Sequence, residues 1–280
     1  MSVTTPVDEE EPQLAPGNTV LGDIWVNFKR WLVKNLRNSH TVGFALIQPV
    51  VFLVLFTEVF GQITGGVLTP TGGESISYTT FLLPAIVMQV SLLSASASGI
   101  WLVDDIENGM LGKTLVSPMR RGAVFLGKTL AEMVFTTAQI VLVLVAAILL
   151  GAEIETGVVG AVWIIGIGIL FSIWFSALSN VFGLLSRDTE ATVLVVNFFQ
   201  LPLLFVSSAF LPVEILPGWI QFLSSINPVT YGVDATRALV VQGWAWDTIL
   251  PALGVLVVID LVFGTIGVYA LNRTTSASTR

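Results

Sequence analysis

Residues 122–129 read GAVFLGKT, which places Gly122, Gly127, Lys128 and Thr129 at the spacing of a phosphate-binding loop. In such a loop backbone N–H groups cradle phosphates, the lysine neutralises them and the hydroxyl holds Mg²⁺. That chemistry needs a buried strand before the loop and a Mg-binding acid ending a later strand. Here Met119-Arg120-Arg121 come first, and Ala123, Val124, Phe125 and Leu126 open a long apolar run. The stretch is therefore read as a helix start, with Lys128 reaching out to the membrane interface. The chain has 0 Cys and 1 His, so thiolate metal sites and Cys nucleophiles are excluded and His-based centres nearly so. No catalytic, cofactor-binding or metal-binding residue is assigned. His40 reads as interfacial.

The remaining chemistry lies in isolated charges within apolar surroundings. Asp260 falls near the middle of one apolar run, Glu58 near the end of another and Glu132 early in a third. A charge at mid-membrane costs at least about 2.5–3.5 kcal/mol, so Asp260 is a candidate for an interhelical hydrogen bond or for a transport role. Asp234 and Arg237 stand three apart, one helical turn, and can pair. Gln89, Gln139, Asn180, Asn197 and Gln200 read as helix–helix hydrogen bonders.

These residues must be positioned by membrane-spanning helices. Of the 280 residues 54% are hydrophobic and only 11% charged, where soluble domains carry about 25% charged. Mean hydropathy is +0.86. Six segments meet the roughly 20-residue requirement of a bilayer core: 42–62, 79–103, 123–150, 158–185, 191–212 and 248–271. The expected fold is all-α and polytopic, with Pro49 and Pro84 tolerated inside spans. The second span carries small residues from Ser91 through Gly99, which favour close helix approach.

Residues 1–21 read as a disordered acidic tail, 22–40 as an amphipathic interface helix, 41–273 as the six-span domain and 274–280 as a second tail. In the interface helix Ile24, Phe28, Trp31, Leu32 and Leu36 form the apolar stripe, and Lys29, Arg30, Lys34 and Arg37 the polar side. Six spans leave eleven of the 12 Lys and Arg on one face and only Arg237 on the other. The positive-inside rule then puts both termini in the cytoplasm, in a multi-pass protein of the plasma membrane. A net charge of −7 argues against nucleic acid as partner.

Two connections stand out. Residues 104–122, DDIENGMLGKTLVSPMRRG, are too short for a domain, yet Met110, Leu111, Leu115 and Val116 are more apolar than a solvated loop needs. Such a segment suits docking into another protein's groove. Residues 213–247 are too apolar for an exposed loop and too broken for two spans, so a re-entrant hairpin between spans five and six satisfies both limits.

In these stretches the chain resembles the permeases of type-2 ABC exporters, including daunorubicin-resistance B-like proteins. The first stretch matches at Glu107, Gly109, Leu111, Leu115, Val116, Ser117 and Pro118, departing at Met110 and Gly112. The second matches at Leu216, Pro217, Trp219, Asn227, Pro228, Tyr231, Asp234 and Arg237. The resemblance implies that Glu107, Gly109, Met110, Leu111, Leu115 and Pro118 couple to a cytoplasmic ATPase. It also implies that Trp219, Asn227, Pro228, Tyr231, Asp234 and Arg237 belong to outer helices capping the pathway. ATP and Mg would act in the separate ABC ATP-binding subunit, and this chain would pair with a second copy of itself or a similar permease. The scarcity of charge in the spans favours a hydrophobic or amphipathic substrate, drug or lipid. The rival reading is an ion-gradient-driven secondary transporter or channel using Asp260.

Overall fold

In the computed structural model, which describes residues 19–37, 39–64, 76–110, 112 and 119–277, every regular element is helical. The helices are α1 (Val20–Arg37), α2 (Ser39–Thr64), α3 (Tyr78–Glu107), α4 (Arg121–Leu149), α5 (Gly157–Ser186), α6 (Thr189–Phe205), α7 (Gly218–Ser225), α8 (Pro228–Arg237) and α9 (Trp246–Ala277). A 3₁₀ turn, Val213–Ile215, precedes α7, and a π turn, Ala238–Gln242, follows α8. Of the expected acidic tail, 1–21, residues 1–18 lie outside the described residues, while Val20 and Leu21 already belong to α1; likewise α9 continues to Ala277, into the tail expected over 274–280.

Helix α3 is the centre. It is enclosed along most of its length, and Leu82, Leu83, Ile86, Met88 and Leu92 are fully buried. Its most extensive packing is along α5, through Ile164, Ile167, Phe171 and Phe175, with α4 beside both. Helices α2 and α9 stand outside this trio and leave most of their surface facing away from the protein. Helices α2, α3, α6 and α9 continue through Pro49, Pro84, Pro202 and Pro251 respectively. Trp163, Trp244 and Trp246 cluster with ring centroids 5.4–6.3 Å apart where α5 and α9 begin, as aromatic residues do at a membrane–water interface.

Five helices are long and apolar enough to cross a membrane: α2, α3, α4, α5 and α9. The fifth expected span differs. Helix α6 stops at Phe205 after 17 residues, about 26 Å at 1.5 Å per residue, and residues 206–211 are turns and bends. The apolar run gave no sign of this end. Three polar groups create it. The Asn227 amide donates to the carbonyls of Leu203 (2.6 Å) and Val206 (3.2 Å). Arg237 donates to the Ser208 carbonyl at 2.9 Å, and Ser207 turns its hydroxyl onto Leu204 at 2.6 Å. Helix ends leave unmet carbonyls, and here the hairpin supplies their donors.

The small residues of α3 form its seam with α5. The Gly99 N–H donates to Ser179 Oγ at 3.1 Å, and that hydroxyl donates to the Ser96 carbonyl at 2.8 Å. A Cβ on Gly99 would overlap the Ser179 carbonyl, and one on Gly183 would lie 2.8 Å from the Gly99 carbonyl oxygen. Gly99→Ala is expected to destabilise the chain by about 1–3 kcal/mol, as overpacking does. Gly166→Ala, on the open side of α5 with nothing within 4 Å, is expected to hold or gain up to about 1 kcal/mol through helix propensity. Thermal unfolding of the detergent-solubilised variants reads both; equal midpoints would contradict the seam.

Candidate functional site

Helix α1 lies along α4, and its buried line is Asp23, Asn27, Trp31 and Asn35, one residue per turn. This corrects the apolar stripe drawn from the sequence. Of those residues only Trp31 is buried, Ile24, Phe28 and Leu32 are half-buried, and Leu36 points outward with Leu21, Trp25, Val26 and Val33. The polar line faces the protein because α4 brings partners to it. The Arg120 N–H donates to Asp23 Oδ2 at 3.2 Å, and Asn27 reaches Met119 Sδ at 3.4 Å. Gly127 allows the contact: a Cβ there would lie 2.7 Å from both Asn27 Cβ and the Ile24 carbonyl.

Two ionic sites flank Trp31. On one side Lys34 bonds Asp104 at 2.7 Å and Asp105 at 2.6 Å, and Arg30 meets Asp105 at 3.1 Å. These tie α1 to the C-terminal end of α3. On the other side Lys128 lies in the interior, 2% exposed, which corrects its expected position at the interface. Its ammonium bonds Glu132 at 2.5 Å, Asn180 at 2.9 Å and the Ser98 hydroxyl. Ser176 donates to Glu132 Oε2 and to Ser98, each at 2.8 Å. Three helices, α3, α4 and α5, therefore meet on one ion pair. An ammonium needs three acceptors and here has them, so the inward position is satisfied where a span would otherwise expose it to lipid. Arg30, Lys34 and Lys128 all lie 4.9–5.5 Å from the Trp31 ring, which adds cation–π attraction.

Of the expected coupling residues, Leu111, Leu115 and Pro118 lie outside the described residues. Glu107 ends α3 and accepts from both the backbone N–H and the hydroxyl of Thr189 at 3.2 Å, linking α3 to the start of α6. Gly109 takes φ +66°, the left-handed turn that closes a helix. Met110 is 39% exposed. Between this end of α3 and α2, α4 and α6 lies a cavity of about 860 Å³, lined by Trp101 and Phe135 with Lys34, Asp104, Glu107, Asp188 and Glu190 among its polar groups.

The residues expected in the outer hairpin gather near the end of α6. Asn227 caps α8 by accepting from Val229 N–H at 3.0 Å, Pro228 is its first residue, and Tyr231 donates to the Ser225 carbonyl at 2.7 Å. Asp234 and Arg237 pair at 3.7 Å, and Ser208 donates to Asp234 at 2.7 Å. Trp219 faces outward on α7, 66% exposed. Asp260 stands apart: both its carboxylate oxygens are buried without a hydrogen-bond partner among the described residues. The backbone of Trp174 on α5 lies against this carboxylate. Gln139, Asn180 and Gln200 do bond between helices, whereas Asn197 is exposed and Gln89 leaves its carbonyl oxygen unpaired.

The sequence model of the ABC-2 type transporter family matches residues 22–241, from α1 through the outer hairpin. The chain belongs to this family. It is 26% identical over 204 residues to a daunorubicin resistance ABC transporter permease of Streptomyces coeruleorubidus, covering 72% of this chain and 69% of that one. It is 25% identical over 262 residues, 91% of each, to a protein of Mycobacterium tuberculosis named as a probable doxorubicin resistance ABC transporter permease. A protein of Escherichia coli named as a probable multidrug ABC transporter permease is 25% identical over 209 residues, 71% of this chain and 54% of that one. Family membership and five long apolar helices together make the chain a multi-pass membrane protein.

The sequence reading missed the Lys128–Glu132 pair and the Asp105 latch. The signals were present: Lys128 and Glu132 stand at i, i+4, a pairing distance on a helix, and Asp104-Asp105 face the Arg30 and Lys34 of α1. Removing one partner of a buried pair leaves an uncompensated charge and costs about 3–5 kcal/mol. Lys128→Met is therefore expected to lower stability by that amount, and Lys128→Met with Glu132→Gln to recover most of it. A double-mutant cycle of thermal unfolding in detergent measures the coupling; additive losses would mean the two side chains do not depend on each other.

Proposed function

We propose that the chain is the permease subunit of an ATP-driven exporter that moves a hydrophobic or amphipathic substrate, a drug or a lipid, out of the cytoplasm. The observation that carries this reading is the family match across α1–α8, which includes both motif-bearing connections. The relatives named for daunorubicin and doxorubicin resistance support it. ATP and Mg act in a separate ABC ATP-binding subunit, and the functional unit holds two permeases, this chain with a copy of itself or a similar partner. Both termini face the cytoplasm of a plasma-membrane protein, and α6 with its capped end completes six crossings. The hairpin dips into the outer leaflet, which accounts for the exposure of Trp219, Phe222 and Ile226.

Geometry supports the coupling role of residues 107–118. This connection leaves α3 where Lys34 and Arg30 bind Asp105 and where Glu107 binds α6. A push on it reaches α1, α3 and α6 together, and the buried Lys128 pair carries it to α4 and α5. Met110, Leu111 and Leu115 supply the buried contact with the ATPase, because apolar anchors dominate interface energies. Leu111→Asp is expected to abolish co-purification with the ATPase and substrate-stimulated ATP turnover while membrane insertion persists. Normal binding and coupled transport in this variant would remove residues 104–118 from the docking role.

Asp260 sustains the second reading, an ion-gradient-driven carrier, because its carboxylate is buried without a cation paired to it among the described residues. For the exporter, Asp260→Asn in vesicles is expected to retain ATP-dependent transport with gradients collapsed. Transport that follows a proton or sodium gradient without ATP, and is lost in Asp260→Asn, would favour the carrier.

A further inference from the structure

We propose that α1 carries a binding site for an anionic phospholipid, its phosphate held by Lys29 and Arg37 and one acyl chain lying in the notch between α1 and α4. The inference rests on the chain's place in a membrane and not on what the chain transports.

The charge along α1 does not balance. A groove of about 800 Å³ between α1 and the C-terminal end of α3 is lined by four cations, Lys29, Arg30, Lys34 and Arg37, and two acids, Asp104 and Asp105. The acids are already taken: Lys34 bonds both, at 2.7 and 2.6 Å, and Arg30 meets Asp105 at 3.1 Å. Lys29 and Arg37 are exposed and pair with no acid among the described residues. In a chain whose net charge is −7, two uncompensated cations on one groove mark a place for an anion. They stand eight residues apart, about 12 Å along the axis, and their long side chains can close that gap over one headgroup.

The second observation is apolar and adjoins the first. Leu21, Trp25 and Phe28 of α1 and Leu130, Met133 and Val134 of α4 line a notch of about 630 Å³ whose lining carries no charge. Trp25 lines both the notch and the cationic groove, and Lys29 follows it by one turn. Its exposed indole stacks on Phe28 at 5.4 Å, at the junction of charge and hydrocarbon where tryptophan is enriched in membrane proteins. A soluble anion would meet Lys29 and Arg37 and leave the notch unused. A zwitterionic lipid would fill the notch and gain little from the cations. A lipid with net negative charge uses both.

The test uses the full chain, delipidated in a neutral detergent, with dioleoylphosphatidylglycerol and dioleoylphosphatidylcholine as probes of identical acyl chains. Native mass spectrometry across a lipid titration reads the affinity of each. The anionic lipid is expected to bind at least about tenfold more tightly, and Lys29→Gln and Arg37→Gln each to weaken it about fivefold while the zwitterionic lipid is unchanged. Both residues are exposed and make no ion pair among the described residues, so these variants are expected to keep the thermal midpoint of the parent. Arg187→Gln, which removes one cation from the turn between α5 and α6, is expected to leave both affinities alone. Val134→Trp, which fills the notch from an exposed position, is expected to weaken both lipids. Equal binding of the two lipids, an unchanged preference in Lys29→Gln and Arg37→Gln, or the same loss in Arg187→Gln would overturn the proposal. So would displacement of the lipid by equimolar glycerol phosphate, which would make this a site for a soluble anion. A preference that emerges only after deletion of residues 1–18 would overturn it too, in favour of Asp8, Glu9, Glu10 and Glu11 as the occupants.

Discussion

The ion pair between Lys128 and Glu132 constrains everything around it. An ammonium buried among apolar helices is tolerated only where acceptors surround it, and those acceptors come from Ser98 on α3, Glu132 on α4 and Asn180 on α5. Sliding any of the three by one turn would break this set of acceptors around the ammonium. The Gly99–Ser179 seam lies on the same stretch of α3 and α5 and leaves no room for a side chain between them. Helices α3, α4 and α5 therefore behave as one block. Around the block stand α2 and α9, whose surfaces face outward, and α6, held by its two ends.

Helix α1 joins this block in a way that reverses the usual amphipathic logic. Its polar line Asp23, Asn27, Trp31 and Asn35 faces the protein, and Leu21, Trp25, Val26, Val33 and Leu36 face away. The protein side of α1 is the start of α4 with its unmet N–H groups. Asp23 accepts one of them from Arg120. The apolar side is left exposed, with no protein packed over it among the described residues. Arg30 and Lys34 sit on the boundary and tie the helix to Asp104 and Asp105, so α1 follows the C-terminal end of α3.

The fold class and the helix positions were legible because hydropathy over 20 residues is a strong signal and a lipid-facing helix cannot hide it. The packed seam was legible from Ser91–Gly99 for the same kind of reason. What failed were inferences that depend on a neighbour. Lys128 was placed at the surface because nothing in residues 122–129 shows that Ser98 and Asn180 lie across from it. The α1 stripe was misdrawn because helical spacing finds an apolar side without showing which neighbour it meets. The GxxxxGK[ST] spacing has a packing role in the fold. Gly127 admits α1, and Lys128, the next residue, turns inward to close the block.

The end of α6 shows how motif residues outside the spans are used. A helix that stops short of the membrane's thickness leaves carbonyls where water is scarce, and each unmet group costs several kcal/mol in hydrocarbon. The chain resolves this with side chains from the hairpin. Asn227 covers the Leu203 and Val206 carbonyls, Arg237 covers Ser208, and Asp234 holds both Arg237 and the Ser208 hydroxyl. Three residues that resemble a family motif thus meet at one helix terminus, from an element that follows it in sequence. Helix α8, which carries two of them, is itself buried against α3, α5 and α9. The end of α6 is therefore fixed to the block through the hairpin, while its start is fixed through Glu107. The end of α3 is thus joined to helices α7 and α8 by two routes, one along α6 and one through the block.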